Sequence, residues 1–272
     1  MQIHEFDAIG THWAIEILSD QEFPDELIMN IHTTVDLFDQ RYSRFRDDSL
    51  IAELARTGVL RNPPSEMIEM MMFAKDMYQV SGGAFSIAVG STLHRFGYGS
   101  RTHGRHINHT IWDDISMSDE KIVVPIGEML DFGGFGKGWL IDVFVKVMQD
   151  AGIREFIVNG GGDLYCQSDT PIEFKLEDPY DETRQFGQTR ITKGALAVSN
   201  TIKRAWQDGE TLKHHIIDPM TDDSSASDAI ATYVRAESAL IADTMATILI
   251  LRPELENDLA QKYGLKTILV RY

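Results

Sequence analysis

The stretch "AESALIADTMATILIL" (236–251) carries Asp243 and Thr247 four residues apart. On a helix that spacing makes them neighbours on one face. The surroundings are apolar, with Leu240, Ile241, Ile248 and Leu249 close by. A carboxylate in such a setting needs a partner. A hard cation with oxygen ligands would supply one; so would a cap-like contact with neighbouring backbone, or an arginine. Spacing alone leaves both readings open.

Two further stretches carry chemistry. "LDFGGFGKGWLID" (130–142) sets Gly133, Gly134, Gly136 and Gly138 around Lys137, ahead of an apolar helical pattern. Glycines let backbone approach a ligand closely, and a helix starting near Lys137 offers N–H groups and a positive dipole end to an anion. A tight turn without a ligand accounts for the same residues. The stretch is not a Walker A loop, which would need glycine at Asp131 and Ser or Thr at Gly138. Nor has it the spacing of a dinucleotide fingerprint. In "KHHIIDP" (213–219) a histidine has the right proton affinity for a general base near neutral pH, and a structural histidine fits equally well. His103, His106 and His109 lie in a Gly/His/Arg stretch (97–110) without Cys or acidic companions, and read as a solvated loop.

These residues must be positioned by a mixture of strands and helices. Trp13, Ile15 and Ile17 alternate in a strand over 12–18. Leu27, Ile28, Ile31, Val35 and Phe38 recur at helical spacing from Asp25. A second helix is predicted over 65–80 with Ser65 as N-cap and its methionines in the core. A third runs from about Lys137 to Ala151 and stops at Gly152. "EFIV" (155–158), the turn "NGGGD" and "LYC" form a hairpin signal. Further strands are expected over 172–176, 195–199, 212–217, 230–235 and 265–271. Ser238 should cap a helix over 239–251, followed by another over 253–262. Without strict βα alternation the class is α+β, or α/β with a mixed sheet, as one catalytic unit over 1–272.

Composition narrows the partners. The 272 residues are 43% hydrophobic, enough for a core, and carry a formal charge of −17. That field repels nucleic acid and anionic membranes, so an anionic ligand must be met by local donors or a divalent cation. Cys166 stands alone, which rules out an internal disulfide, and reads as a small buried residue. The first twenty residues show no basic-then-apolar leader, and no apolar run reaches the roughly 18 residues of a membrane span. A cytoplasmic location is expected.

Taken in order, the segments resemble the ApbE family of FAD:protein FMN transferases. The likeness starts at "AIGTHW" (8–13) and "SRFRDDSLIAEL" (43–54), then takes in "SGGAFSIAVGSTLHRFGYG" (81–99). It continues through "LDFGGFGKGWLID", "FIVNGGGDLYC", "AVSNTIKR" (197–204), "HHIIDPMT" (214–221) and "ALIADTMATIL" (239–249). Each motif is weak and the ordered series is strong.

The resemblance implies an ApbE-like fold, with mixed or antiparallel sheets flanked by helices. It also implies transfer of FMN from FAD to a threonine of an acceptor flavoprotein, with release of AMP. Magnesium would be held by Asp243, Thr247 and the carbonyl of Gly134. Asp131, Lys137, Phe45, Ala84, Phe85, Ser86 and Ile217 fall at FAD-contacting positions, and His215 at that of the suspected base; a carboxylate near the metal, Asp243, is the other candidate. Ser86 stands where the family commonly has Asp, and Ile9 where it has Met. Hydrolysis of FAD to FMN and AMP at the same site, and a non-catalytic FAD-binding protein, are the rival readings. A soluble oxidoreductase that keeps its flavin lacks a nicotinamide fingerprint. The oligomeric state and the acceptor's identity are not legible in the sequence.

Overall fold

A computed structural model describes residues 2–98, 112–208 and 211–272. His103, His106 and His109 therefore lie outside the described residues. The chain forms two compact units, each assembled from separated stretches. The first comprises Met1–Leu37, Gly133–Lys203 and Asp228–Tyr272; the second comprises Phe38–Phe132 and Arg204–Ser227. Helices and antiparallel sheets occur together, which is the α+β class expected from the sequence.

The first unit is built on a seven-stranded antiparallel sheet whose strands follow one another across it in chain order: Gln2–Ala8, Thr11–Ile17, Phe156–Gly160, Asp163–Glu177, Gln185–Asn200, Ala229–Ala236 and Lys266–Arg271. The hairpin predicted at "NGGGD" pairs Gly160 with Asp163 across Gly161 and Gly162, whose φ values of +67° and +97° suit a two-residue turn. The first hairpin, absent from the sequence reading, turns at Ile9–Gly10, with the β-branched Ile9 at φ +45°. Trp13 is fully buried and meets Phe144 edge-on at 5.5 Å; it also fills the space that a Cβ on Gly160 would need.

Two helices lie on one face of this sheet. The motif helix is Gly136–Asp150, one residue earlier at each end than predicted, and the late helix is Ala239–Leu251, as predicted. The Thr232 hydroxyl donates to the Ala246 carbonyl in the late helix at 2.6 Å. Its neighbours Ala231 and Tyr233 therefore point to the other face, where they pack with Ile157, Leu164, Cys166 and Ile191. Cys166 is buried as expected, and burial pushes its thiol up to about 11.

The second unit holds the helices Leu50–Thr57, Ser65–Val80 and Gly90–Arg95 and a small sheet of Val59–Arg61, Lys121–Val123 and Ser116–Met117. Met67, Met70, Met71 and Met77 are buried, as expected of a core role. Three local expectations are corrected. Ser65 is not the cap: the helix already includes it, and Pro64, which has no side-chain donor or acceptor, stands at the boundary. The strand expected over 212–217 is two, Thr211–His214 and Ile217–Asp218, because the backbone turns at His215–Ile216 to pair with a second partner, Asp223–Ser224. The last helix is Glu256–Tyr263, preceded by a 3₁₀ turn at Pro253–Leu255, where proline fits a first turn that needs no N–H.

Candidate active site

In the first unit two of the sequence-predicted residues, Lys137 and Asp243, meet at the start of the motif helix. No side chain of the preceding residues caps that helix locally. The cap comes from the late helix: Asp243 Oδ2 accepts the Gly138 N–H at 3.0 Å. The relation is returned, since Asp142 of the motif helix accepts the Ala239 and Leu240 N–H groups at 2.8 and 3.0 Å. Ser238 adds the local cap predicted from sequence, accepting from Ile241 N–H at 3.3 Å. Each helix thus supplies the carboxylate that completes the other's first turn.

Gly138 makes this approach feasible. A Cβ there would lie 2.4 Å from the Ala239 carbonyl oxygen and 2.9 Å from Asp243 Cβ. None of Gly133, Gly134, Gly136 and Gly138 has a positive φ, so left-handed backbone is not their purpose. Close approach was expected of this motif; at Gly138 what approaches is a helix.

Lys137 lies between two carboxylates. Its ammonium contacts Asp163 Oδ2 and stands 3.3 Å from Asp243 Oδ1. The other Asp163 oxygen accepts from Val198 N–H at 2.9 Å. Burial pulls the Lys137 ammonium down, but Asp163 and then Asp243 outweigh it, and the net shift is upward. Burial raises Asp243, against the pull of Lys137 and with Asp163 adding to the rise, to about 6. Thr247, one turn along, shares a hydrogen bond with Ser199 at 3.2 Å. Asp163 and Ser199 were missed as site residues. The hairpin motif contained the first and "AVSNTIKR" the second, but only the sheet shows what they face.

Among the described residues no three His, Cys, Asp or Glu side chains group to hold a metal ion. The donors that the resemblance implies for a cation are oxygens of mixed type: the Asp243 carboxylate and the Thr247 hydroxyl, four residues apart on the late helix, and the Gly134 carbonyl, in the turn before the motif helix. That chemistry fits magnesium, which binds through one or two carboxylates and fills its shell with water and substrate phosphate.

The second unit gathers the other predicted residues. Asp131 N–H donates to the Ile87 carbonyl at 2.8 Å, which ties it to the segment bearing Ala84, Phe85 and Ser86. Ala84 and Phe85 are buried and Ser86 half-buried. Asp131 also holds a residue that the sequence reading passed over: Arg44, whose Nε lies 2.5 Å from Asp131 Oδ2. The guanidinium carbon is 4.2 Å from the Phe45 ring centre and 5.2 Å from that of Tyr98. Tyr98 stacks with Trp206 at 5.2 Å and His215 at 6.1 Å. The two adjacent histidines are thereby separated. His214 Nε2 meets the Ser225 carbonyl at 3.1 Å, and burial lowers its pKa, whereas His215 joins the aromatic stack. Ile217 is buried in its short strand.

Comparison with known proteins places this architecture. The model of the ApbE family matches residues 9–269, and the chain belongs to that family. Curated relatives named FAD:protein FMN transferase include one from Salmonella typhimurium, 22% identical over 99% of this chain and 84% of its own length. Another from Escherichia coli K12 is 24% identical over 98% and 83%. Among solved structures, the ApbE protein of Thermotoga maritima superposes with a TM-score of 0.86 at 19% identity, covering 99% of this chain and 94% of its own. The flavin transferase ApbE of Vibrio cholerae gives 0.82 at 20%, covering 99% and 93%. The α+β fold is theirs. No described helix is long and apolar enough to cross a membrane.

Proposed function

We propose that this chain transfers FMN from FAD to a threonine hydroxyl of an acceptor flavoprotein, releasing AMP, with magnesium as the cation. The observation that carries this reading is the buried Lys137–Asp163–Asp243 cluster at the first turn of the motif helix, in a chain of the ApbE family. The protein is strongly acidic, so a diphosphate needs concentrated local positive charge. Lys137 is already paired with Asp163 and Asp243, and the cluster sums to one negative charge, so in this reading the cation is what supplies it.

In this reading Asp243, Thr247 and the Gly134 carbonyl hold the cation. When bound, it draws charge off the diphosphate and off the departing AMP oxygen. The threonine oxygen forms its bond to the phosphorus on the riboflavin side while the bridging bond to AMP breaks. The hydroxyl proton passes to His215, or to the Asp243 carboxylate. Phe45, Ala84, Phe85, Ser86, Asp131 and Ile217 receive the cofactor. Ser86 offers a hydroxyl, which already accepts the Ala88 N–H at 3.1 Å, where relatives commonly offer a carboxylate.

The test is a single incubation with FAD, Mg²⁺ and a peptide bearing an acceptor threonine in an Asp-x-x-Thr context. A covalent FMN adduct by mass, with stoichiometric AMP, is the expected result. Free FMN with AMP and no adduct would make the chain a FAD pyrophosphatase; intact FAD would make it a binding protein. Asp243→Ala should abolish the metal-dependent turnover.

A further inference from the structure

The Arg44 side chain is only 6% exposed, and its Nη2 is covered by protein and, among the described residues, meets no hydrogen-bond acceptor. A buried guanidinium N–H without an acceptor is unfavourable, so its retention calls for a partner that arrives. Three features define that partner. Asp131 already balances the charge of Arg44 at 2.5 Å, so the spare N–H suits a neutral acceptor better than a phosphate. The guanidinium is flanked by the rings of Phe45 and Tyr98, and the stack continues to Trp206 and His215, which suits a flat heteroaromatic ring. Phe45 is 53% exposed, so a side-chain rotation can move its ring off Arg44 and onto an incoming one.

We infer that Arg44 is a specificity-determining residue that donates a hydrogen bond to a ring carbonyl of the isoalloxazine system. The inference rests on FAD being the substrate. Of the two ring systems in FAD, isoalloxazine carries two carbonyl oxygens and adenine carries none. Arg44 therefore selects the flavin end, and Asp131 acts through it as a positioning residue that holds the guanidinium in place. The phosphates take no part in this contact.

The experiment measures binding of riboflavin, 2-thioriboflavin, 4-thioriboflavin and AMP to the full chain and to Arg44→Met and Arg44→Lys, by flavin fluorescence and calorimetry. Sulfur is a poorer acceptor than oxygen, so one thio analogue should bind the unaltered protein several-fold more weakly than riboflavin, and its position names the carbonyl. Arg44→Met should weaken riboflavin by about 10- to 100-fold, the range for a hydrogen bond from a charged group, and become indifferent to the sulfur. AMP should bind it unchanged, and Arg44→Lys should recover part of the loss. Equal affinity for all three flavins in the unaltered protein overturns the inference even where Arg44→Met fails to fold. So does equal loss of riboflavin and AMP in a folded Arg44→Met. FMN transfer without thio sensitivity removes Arg44 alone; thio sensitivity without transfer removes the transferase reading and leaves the flavin contact.

Discussion

The two polar clusters are finished to different degrees. In the first unit, the carboxylates gathered at the two helix starts have defined partners: Asp142 holds two N–H groups, Asp243 holds Gly138 and Lys137, and Asp163, from the sheet, holds Lys137 and Val198. In the second, Arg44 has one ionic partner and a spare N–H beneath an exposed ring. Under the proposed function the contrast separates two tasks. A site for a cation and a diphosphate gains from groups fixed in advance. A site that admits a large flat ring needs a surface that can part and close again, and rings that pack with many geometries serve that end.

The contrast can be broken most severely at Gly138. Gly138→Ala puts a Cβ 2.4 Å from the Ala239 carbonyl, so the two helices must separate. A loss of about 3 kcal/mol is expected in denaturant unfolding, at the upper end for overpacking, and Mg²⁺-dependent turnover should fall with it. Asp142→Ala removes one direction of the mutual capping and should lower stability by about 2 kcal/mol, with Asp142→Asn recovering most of it.

A smaller effect follows from Asp243. Its folded pKa, raised to about 6 from about 3.9 in an unfolded chain, favours the native state where the group is protonated. That contribution is fully present below about pH 4 and is lost as pH rises through 6. In metal-free buffer, Asp243→Asn should flatten the decline of stability across this window, measured by urea titration at fixed pH steps. In the second unit, Phe45→Ala should leave stability within about 0.5 kcal/mol, because the ring is half exposed, while weakening riboflavin binding. A large stability loss there would show that the aromatic cluster is as fixed as the helix pair.

What could be read from sequence was whatever spacing along one element encodes. Asp243 and Thr247 share a helix, and the late helix was bounded correctly by Ser238 and its apolar run. Lys137 stood out among glycines. Asp142 and Asp163 did not, although both were inside quoted motifs, because their partners lie 97 and 26 residues away and no periodicity links them. Asp243 was read with a metal on one side and a cap-like contact with neighbouring backbone or an arginine on the other; the contact found is with the Gly138 N–H of another helix and with Lys137. Arg44 carried a faint signal, a charge beside Phe45 just beyond an amphipathic helix. Its burial depends on Asp131, which only folding brings to it. Ser65 illustrates the opposite error: a good capping residue was displaced by a neighbouring proline that set the boundary first.

The order of the sheet bears on how the chain gets there. Its seven strands succeed one another without a crossover, so most pairings join segments close in sequence. The longest excursion lies between Thr11–Ile17 and Phe156–Gly160, where everything from Leu18 to Glu155 must be spanned before the strands pair; the stretches before Ala229–Ala236 and before Lys266–Arg271 are much shorter. Loop-closure entropy grows only logarithmically, about 0.6 kcal/mol for each doubling of length, so this excursion weighs little on the equilibrium. Its weight falls on kinetics, where contacts distant in sequence slow folding. The register Trp13–Gly160 is thus where the sheet is expected to close last, and there the buried indole lies against a bare glycine.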